Sequence, residues 1–86
     1  MYEVVLGRPA RRFYERADAA LQRRLDDAFE ALSTEPRRQP GVRRLEGRFD
    51  GFYRYRVGDY RVVYSVEEDA KTVSVAAIGH RREVYR

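Results

Sequence analysis

The chain has 86 residues, no cysteine and one histidine, which leaves room for a single domain and excludes a disulfide framework, a thiolate metal site or a histidine-built metal cluster. Eighteen basic residues, all arginine except Lys71, against fourteen acidic ones give a net charge of +4, and a small basic domain with seven tyrosines among its arginines points toward a polyanion. The longest apolar runs fall far short of the ~20 residues that cross a bilayer, and MYEVVLGRPARRF lacks the apolar core and cleavage site of a signal peptide, so a cytoplasmic protein with no membrane partner is expected.

Tyr2 to Leu6 is short, rich in β-branched residues and stopped by Gly7, which predicts an opening strand. Pro9 suits the first turn of a helix, and Ala10, Phe13, Tyr14 and Ala17 recur at helical spacing. Asp18 is placed to cap a second helix with the stripe Leu21, Leu25, Ala28, Phe29 and Leu32, closed by Pro36. The two helices read as a hairpin with one apolar face each. Pro36 to Gly51 reads as a strongly basic loop. Three strand-like runs follow, Phe52 to Val57, Tyr60 to Val66 and Thr72 to Gly79, and the tail GHRREVYR ends the chain. No repeats or low-complexity tracts interrupt residues 1–86, which read as one domain. The fold class is α+β, in the order β-α-α-β-β-β, with a mostly antiparallel sheet and the helical hairpin packed on one face.

Gly58 and Asp59 fix the middle of that sheet. Glycine first in a two-residue loop fits a type II′ turn, which pairs Val57 with Tyr60, Arg56 with Arg61, Tyr55 with Val62 and Arg54 with Val63. Alternation then puts Tyr53, Tyr55, Val57, Tyr60, Val62, Tyr64 and Val66 on the helix-covered face, where these tyrosines read as core with hydroxyls at the rim. Arg54, Arg56 and Arg61 share the other face. Like charges directly opposite each other cost on the order of 0.2 to 1 kcal/mol. Two or three converging guanidiniums suit a phosphodiester, which would neutralise them. Arginines also keep an exposed sheet face soluble with no ligand, and arginine-rich composition can follow from coding bias, so the bland reading stands beside the sharper one.

His80, Arg81, Arg82 and Tyr85 follow Gly79 at once. If the last strand lies antiparallel to its predecessor, its end returns to the edge of the Gly58-Asp59 turn, within reach of Arg56 and Arg61. The face taken by Val73 and Val75 depends on whether the preceding loop holds four or five residues, which the sequence leaves open.

The strand-helix-helix-strand-strand-strand order, LEG, YRYRVGDYRVVY and the final GHRREVYR resemble the RelE/ParE superfamily of toxins over essentially the whole chain, and more closely its RelE branch. That resemblance implies a RelE-like microbial RNase fold. It also implies the toxin of a type II toxin-antitoxin system: an endoribonuclease that cuts mRNA in the ribosomal A site by 2′-hydroxyl attack and is held inactive by a cognate antitoxin. Carried over by motif, the catalytic basic pair falls on Arg54 and Arg56, the next strand's arginine on Arg61, and the tail residues on Arg81 and Tyr85. Arg43, Arg44, Arg48 and Arg82 become contacts to mRNA or rRNA phosphates. No cofactor or metal is implied, since the attacking group belongs to the substrate and no carboxylate cluster accompanies the motifs. A ParE-like poison of DNA gyrase without nuclease activity, and a catalytically silent antitoxin-binding module, remain as alternatives.

Relatives often have lysines where this chain has Arg54 and Arg56. A crowded lysine can act as a base, whereas an arginine keeps its proton and can only hold and orient. The base then falls to His80, Glu83, Tyr85 or water, with His80 the side chain best suited to carry a proton near neutral pH. Tyr85 is also suited to stack on a single-stranded base.

Overall fold

Gly58 has φ 61° while Asp59 keeps a negative φ, the combination a type II′ turn requires. The space a Cβ would take at Gly58 is occupied by the Arg24 guanidinium. On either side of that turn β3 (Tyr53–Val57) and β4 (Tyr60–Glu67) pair in the register expected from the sequence, from Val57 with Tyr60 to Tyr53 with Tyr64. A computed structural model of the chain describes residues 1–80, and these form a five-stranded sheet with two helices.

β1 (Glu3–Leu6) leads into α1 (Arg8–Arg16) through Gly7, whose amide donates to the Val75 carbonyl at 2.8 Å and brings this corner close to the last strand. α1 carries Pro9 in its first turn, where no intrahelical amide is needed. Asp18 caps α2 (Ala19–Thr34), its carboxylate accepting the Leu21 amide at 2.8 Å. The hairpin is tied by the Tyr14 hydroxyl, which donates to Asp26 at 2.7 Å, and by Gln22 Nε2, which donates to the Tyr14 carbonyl at 2.8 Å. The Asp26 carboxylate holds the Tyr14 hydroxyl above its ordinary range. At the far end of α2 the Gln39 amide group donates to the Ala31 and Glu35 carbonyls, tying the segment after the helix back to its last turn.

The segment expected to be loop contains a short strand. β2 (Val42–Arg44) pairs antiparallel with β3, followed by a 3-10 turn at Gly47–Phe49. β5 (Thr72–His80) pairs antiparallel with β4 and parallel with β1, so the order across the sheet is β1-β5-β4-β3-β2. Four residues, Glu68 to Lys71, join β4 to β5, which sets Val66 opposite Val73.

Between Val63 and Tyr64 the pairing slips. Tyr64 faces Val75 and Val63 faces Ala77, leaving Ala76 as an extra residue, a β-bulge. The slip decides which side chains of β5 enter the core. Val73 and Val75 do so before it and Ile78 after it, joining Ala10, Leu25, Ala28, Leu32, Val57, Val62 and Tyr64 beneath the helices. Tyr64 is completely enclosed, stacks on Tyr53 at 5.7 Å between ring centroids, and donates its hydroxyl to the Pro36 carbonyl at 2.6 Å. Burial pushes that hydroxyl above its ordinary range, with Tyr53 and Tyr55 adding to it.

Candidate nucleic-acid interface

The face of the sheet away from the helices is organised by cross-strand pairs, which always share a face. Arg56 lies opposite Arg61, and Arg54 lies opposite Val63 on β4 and opposite Arg43 on β2. Four arginines from three strands therefore stand on one face. The Arg56 amide donates to the Gly41 carbonyl at 3.0 Å, so the backbone polar groups of Arg56 point toward β2. The Arg56/Arg61 pair is then of the non-hydrogen-bonded kind, with Cα atoms roughly 4.5 Å apart and the closest side chains. Arg43/Arg54 is of the wider kind.

Small residues flank the close pair. Gly41, at φ 90°, lies on the β2 side of Arg56, and Gly79 lies opposite Arg61 on β5. The half-buried Arg61 bends its Nη1 over the turn, donating to the Tyr60 carbonyl at 3.1 Å and the Gly58 carbonyl at 3.4 Å. Among the described residues the ion pairs are those of Glu68 with Arg37 and Lys71, at the other end of β4, and Arg43, Arg54 and Arg56 join none of them. No group of three or more His, Asp or Glu side chains among the described residues is arranged to hold a metal ion. What the face presents is concentrated positive charge on a rigid strand framework, suited to phosphate oxygens through forked, charge-assisted hydrogen bonds.

The residues singled out in the sequence divide as follows. Arg54, Arg56 and Arg61 come together, and Arg43 joins them, which its reading as a loop residue had concealed. Arg44 pairs with Tyr53 and so belongs to the helix-side face at the sheet edge, while Arg48 sits over the Phe49 ring at 5.4 Å in the 3-10 turn. Arg81, Arg82 and Tyr85 lie outside the described residues. His80 is not with the arginines. The bulge at Ala76 turns it onto the helix side, where its ring meets Tyr60 edge-on at 5.9 Å in a groove of about 780 Å³ shared with Arg8, Arg12, Phe13 and Leu21. A sheet thickness separates it from the Arg56/Arg61 pair, so the expected grouping of His80 with the phosphate site is corrected.

Similar proteins include toxins of toxin-antitoxin systems. The RelG toxin of Mycobacterium tuberculosis is 38% identical over 61 residues, which covers 69% of this chain and 66% of that protein, so the chain spans about two thirds of that relative's length. The archaeal RelE-RelB complex from Pyrococcus horikoshii OT3 contains a chain 31% identical, with a TM-score of 0.79 over 96% of this chain and 98% of that one. The toxin-antitoxin complex RelBE2 from Mycobacterium tuberculosis contains one 27% identical, also at a TM-score of 0.79, over 93% and 98%. The model of the ParE toxins of type II toxin-antitoxin systems, parDE, matches residues 5–85, and the chain therefore belongs to this family, within the RelE/ParE superfamily of type II toxins.

Proposed function

We propose that this toxin is a metal-independent endoribonuclease that cuts mRNA in the ribosomal A site, in the cytoplasm, and that a cognate antitoxin restrains it. The observation that carries this reading is the Arg56/Arg61 pair: like charges set directly opposite in the closest kind of cross-strand pair, with glycines on both sides. Like charges set opposite each other cost some stability, and a phosphate lying between them offsets that cost.

In this reading the 2′-hydroxyl oxygen attacks the adjacent phosphorus, the bond to the 5′-oxygen breaks, and a 2′,3′-cyclic phosphate and a 5′-hydroxyl result. Arg56 and Arg61 hold the non-bridging oxygens and the charge that grows on them, with Arg54, the other half of the basic pair carried over by motif, one row away on β3. Neither takes the proton of the 2′-hydroxyl. With His80 turned to the other face, that proton falls to Tyr85, Glu83 or water, and Arg81 adds a further charge from the tail. The proton reaches the departing 5′-oxygen, so the reaction needs no co-reactant. Arg44, Arg48 and Arg82 serve as contacts to mRNA or rRNA backbone.

The toxin-antitoxin complexes among the similar structures support an antitoxin as the protein partner. On a basic domain of this size we expect an acidic, amphipathic antitoxin segment that folds as it binds.

The test is to add the purified protein to ribosomes carrying a defined mRNA and to map cuts by primer extension. Cuts at A-site codons support the reading. The family match to ParE toxins favours one alternative, a gyrase poison, for which the mRNA would stay intact and gyrase-DNA complexes would be trapped.

A further inference from the structure

We propose that Arg43 and Arg54 form a second anion subsite, which holds the phosphate next to the one gripped by Arg56 and Arg61. The inference rests on the RNA-binding reading and deepens it. The two pairs are separated along β3 by the two-residue step from Arg54 to Arg56, about 6.7 Å for an extended strand. The pairs are also displaced by one strand, about 4.8 Å, so their centres lie roughly 8 Å apart, a span that the long arginine side chains adjust to successive phosphates of a single strand crossing β3.

Register fixes the composition of each subsite. The row across the sheet through Arg54 runs Arg43, Arg54, Val63, Ala77, and the row through Arg56 runs Gly41, Arg56, Arg61, Gly79. Each row thus holds one arginine pair and small neighbours, with the pair displaced by one strand between rows: β2 and β3 in the first, β3 and β4 in the second. A nucleic-acid strand following the pairs crosses β3 obliquely. The wider Arg43/Arg54 pair lies at the sheet edge, where Arg43 is exposed and Arg54 half-buried, and the closer pair lies nearer the centre. Arg43 therefore positions the substrate by a phosphate beside the scissile one, without touching the reacting atoms.

The deciding experiment compares Arg43→Ala with the unaltered protein in single-turnover cleavage of ribosome-bound mRNA. The RNAs are an all-phosphate one and two with a single neutral methylphosphonate, on the 5′ or the 3′ side of the cut. The variant should lose about tenfold or more on the all-phosphate RNA, as expected for one charged contact. Arg43→Lys should recover part of that loss. On one of the two neutral-linkage RNAs the deficit should vanish, because removing either partner of a single contact is not additive with removing both. A deficit equally large on all three RNAs, or no deficit at all, overturns the subsite. A second arm measures binding of a short single-stranded RNA, made non-cleavable by a 2′-deoxy substitution, at several salt concentrations. Arg43→Ala should flatten the slope of log affinity against log salt by about 0.7, the value for one phosphate contact to a single strand. If the unaltered protein cuts no RNA, the nuclease reading fails, and this arm still judges the subsite. An unchanged salt slope, together with weakened binding of an acidic antitoxin segment, would assign the pair to the protein partner and overturn the proposal.

Discussion

The Tyr64 hydroxyl donates to the Pro36 carbonyl at 2.6 Å, joining the centre of the sheet to the turn that leaves α2. Tyr64 lies between Val62 and Val66 on β4 and stacks on Tyr53, so the turn is fixed against the strands that carry the arginines. Tyr64→Phe keeps the ring but leaves a buried carbonyl without its donor. The expected loss is about 1 to 3 kcal/mol of unfolding free energy, and the melting temperature should fall by several degrees. Denaturant unfolding of the two proteins checks this, and equal stability would mean that the carbonyl finds another donor.

Glu68 accepts from Tyr2 at 2.7 Å and from Arg37 at 2.9 Å, and also pairs with Lys71. These partners, Lys71 first, push its carboxyl down to about 2. Because the folded-state value is depressed, the contribution is fully present above the ordinary glutamate range and is lost as pH falls toward 2. Stability measured across that window should fall more steeply in the unaltered protein than in Glu68→Gln. The cluster is exposed, so salt should reduce the difference. Parallel pH profiles for the two proteins would contradict the assignment.

Most of this arrangement was legible in the sequence, and what was not has identifiable physical causes. Glycine ahead of Asp59, with tyrosine and valine alternating around it, determines the β3–β4 pairing and hence the face shared by Arg54, Arg56 and Arg61. β2 was hidden because two of its three residues are arginines, which read as loop although charge is also how an edge strand is protected. The bulge was hidden because Ala76 and Ala77 are interchangeable in pattern: either can be the extra residue, and nothing local distinguishes a strand that slips there from one that does not. That one residue, with β5 running one residue further than expected, decides which face His80 takes, so its position follows from register and not from residue chemistry.

His80 therefore gives a direct check on the bulge. His80→Ala should leave mRNA cleavage close to that of the unaltered protein. It should lower stability by on the order of 1 kcal/mol through the lost packing on Tyr60. A fall in cleavage as large as that expected for Arg61→Gln would return His80 to the chemistry.

The central claim is that Arg56 and Arg61 are held in opposition for the sake of a phosphate. The most direct measurement is single-turnover cleavage of ribosome-bound mRNA by Arg61→Gln, alongside its thermal unfolding. The account predicts a fold of nearly unchanged stability, because the relieved cross-strand repulsion offsets the lost hydrogen bonds to the Tyr60 and Gly58 carbonyls, with cleavage slowed on the order of 100-fold or more, the usual consequence of removing one preorganised charge donor. Unchanged cleavage with unchanged or improved stability would contradict it and leave these arginines as solvation of a sheet face.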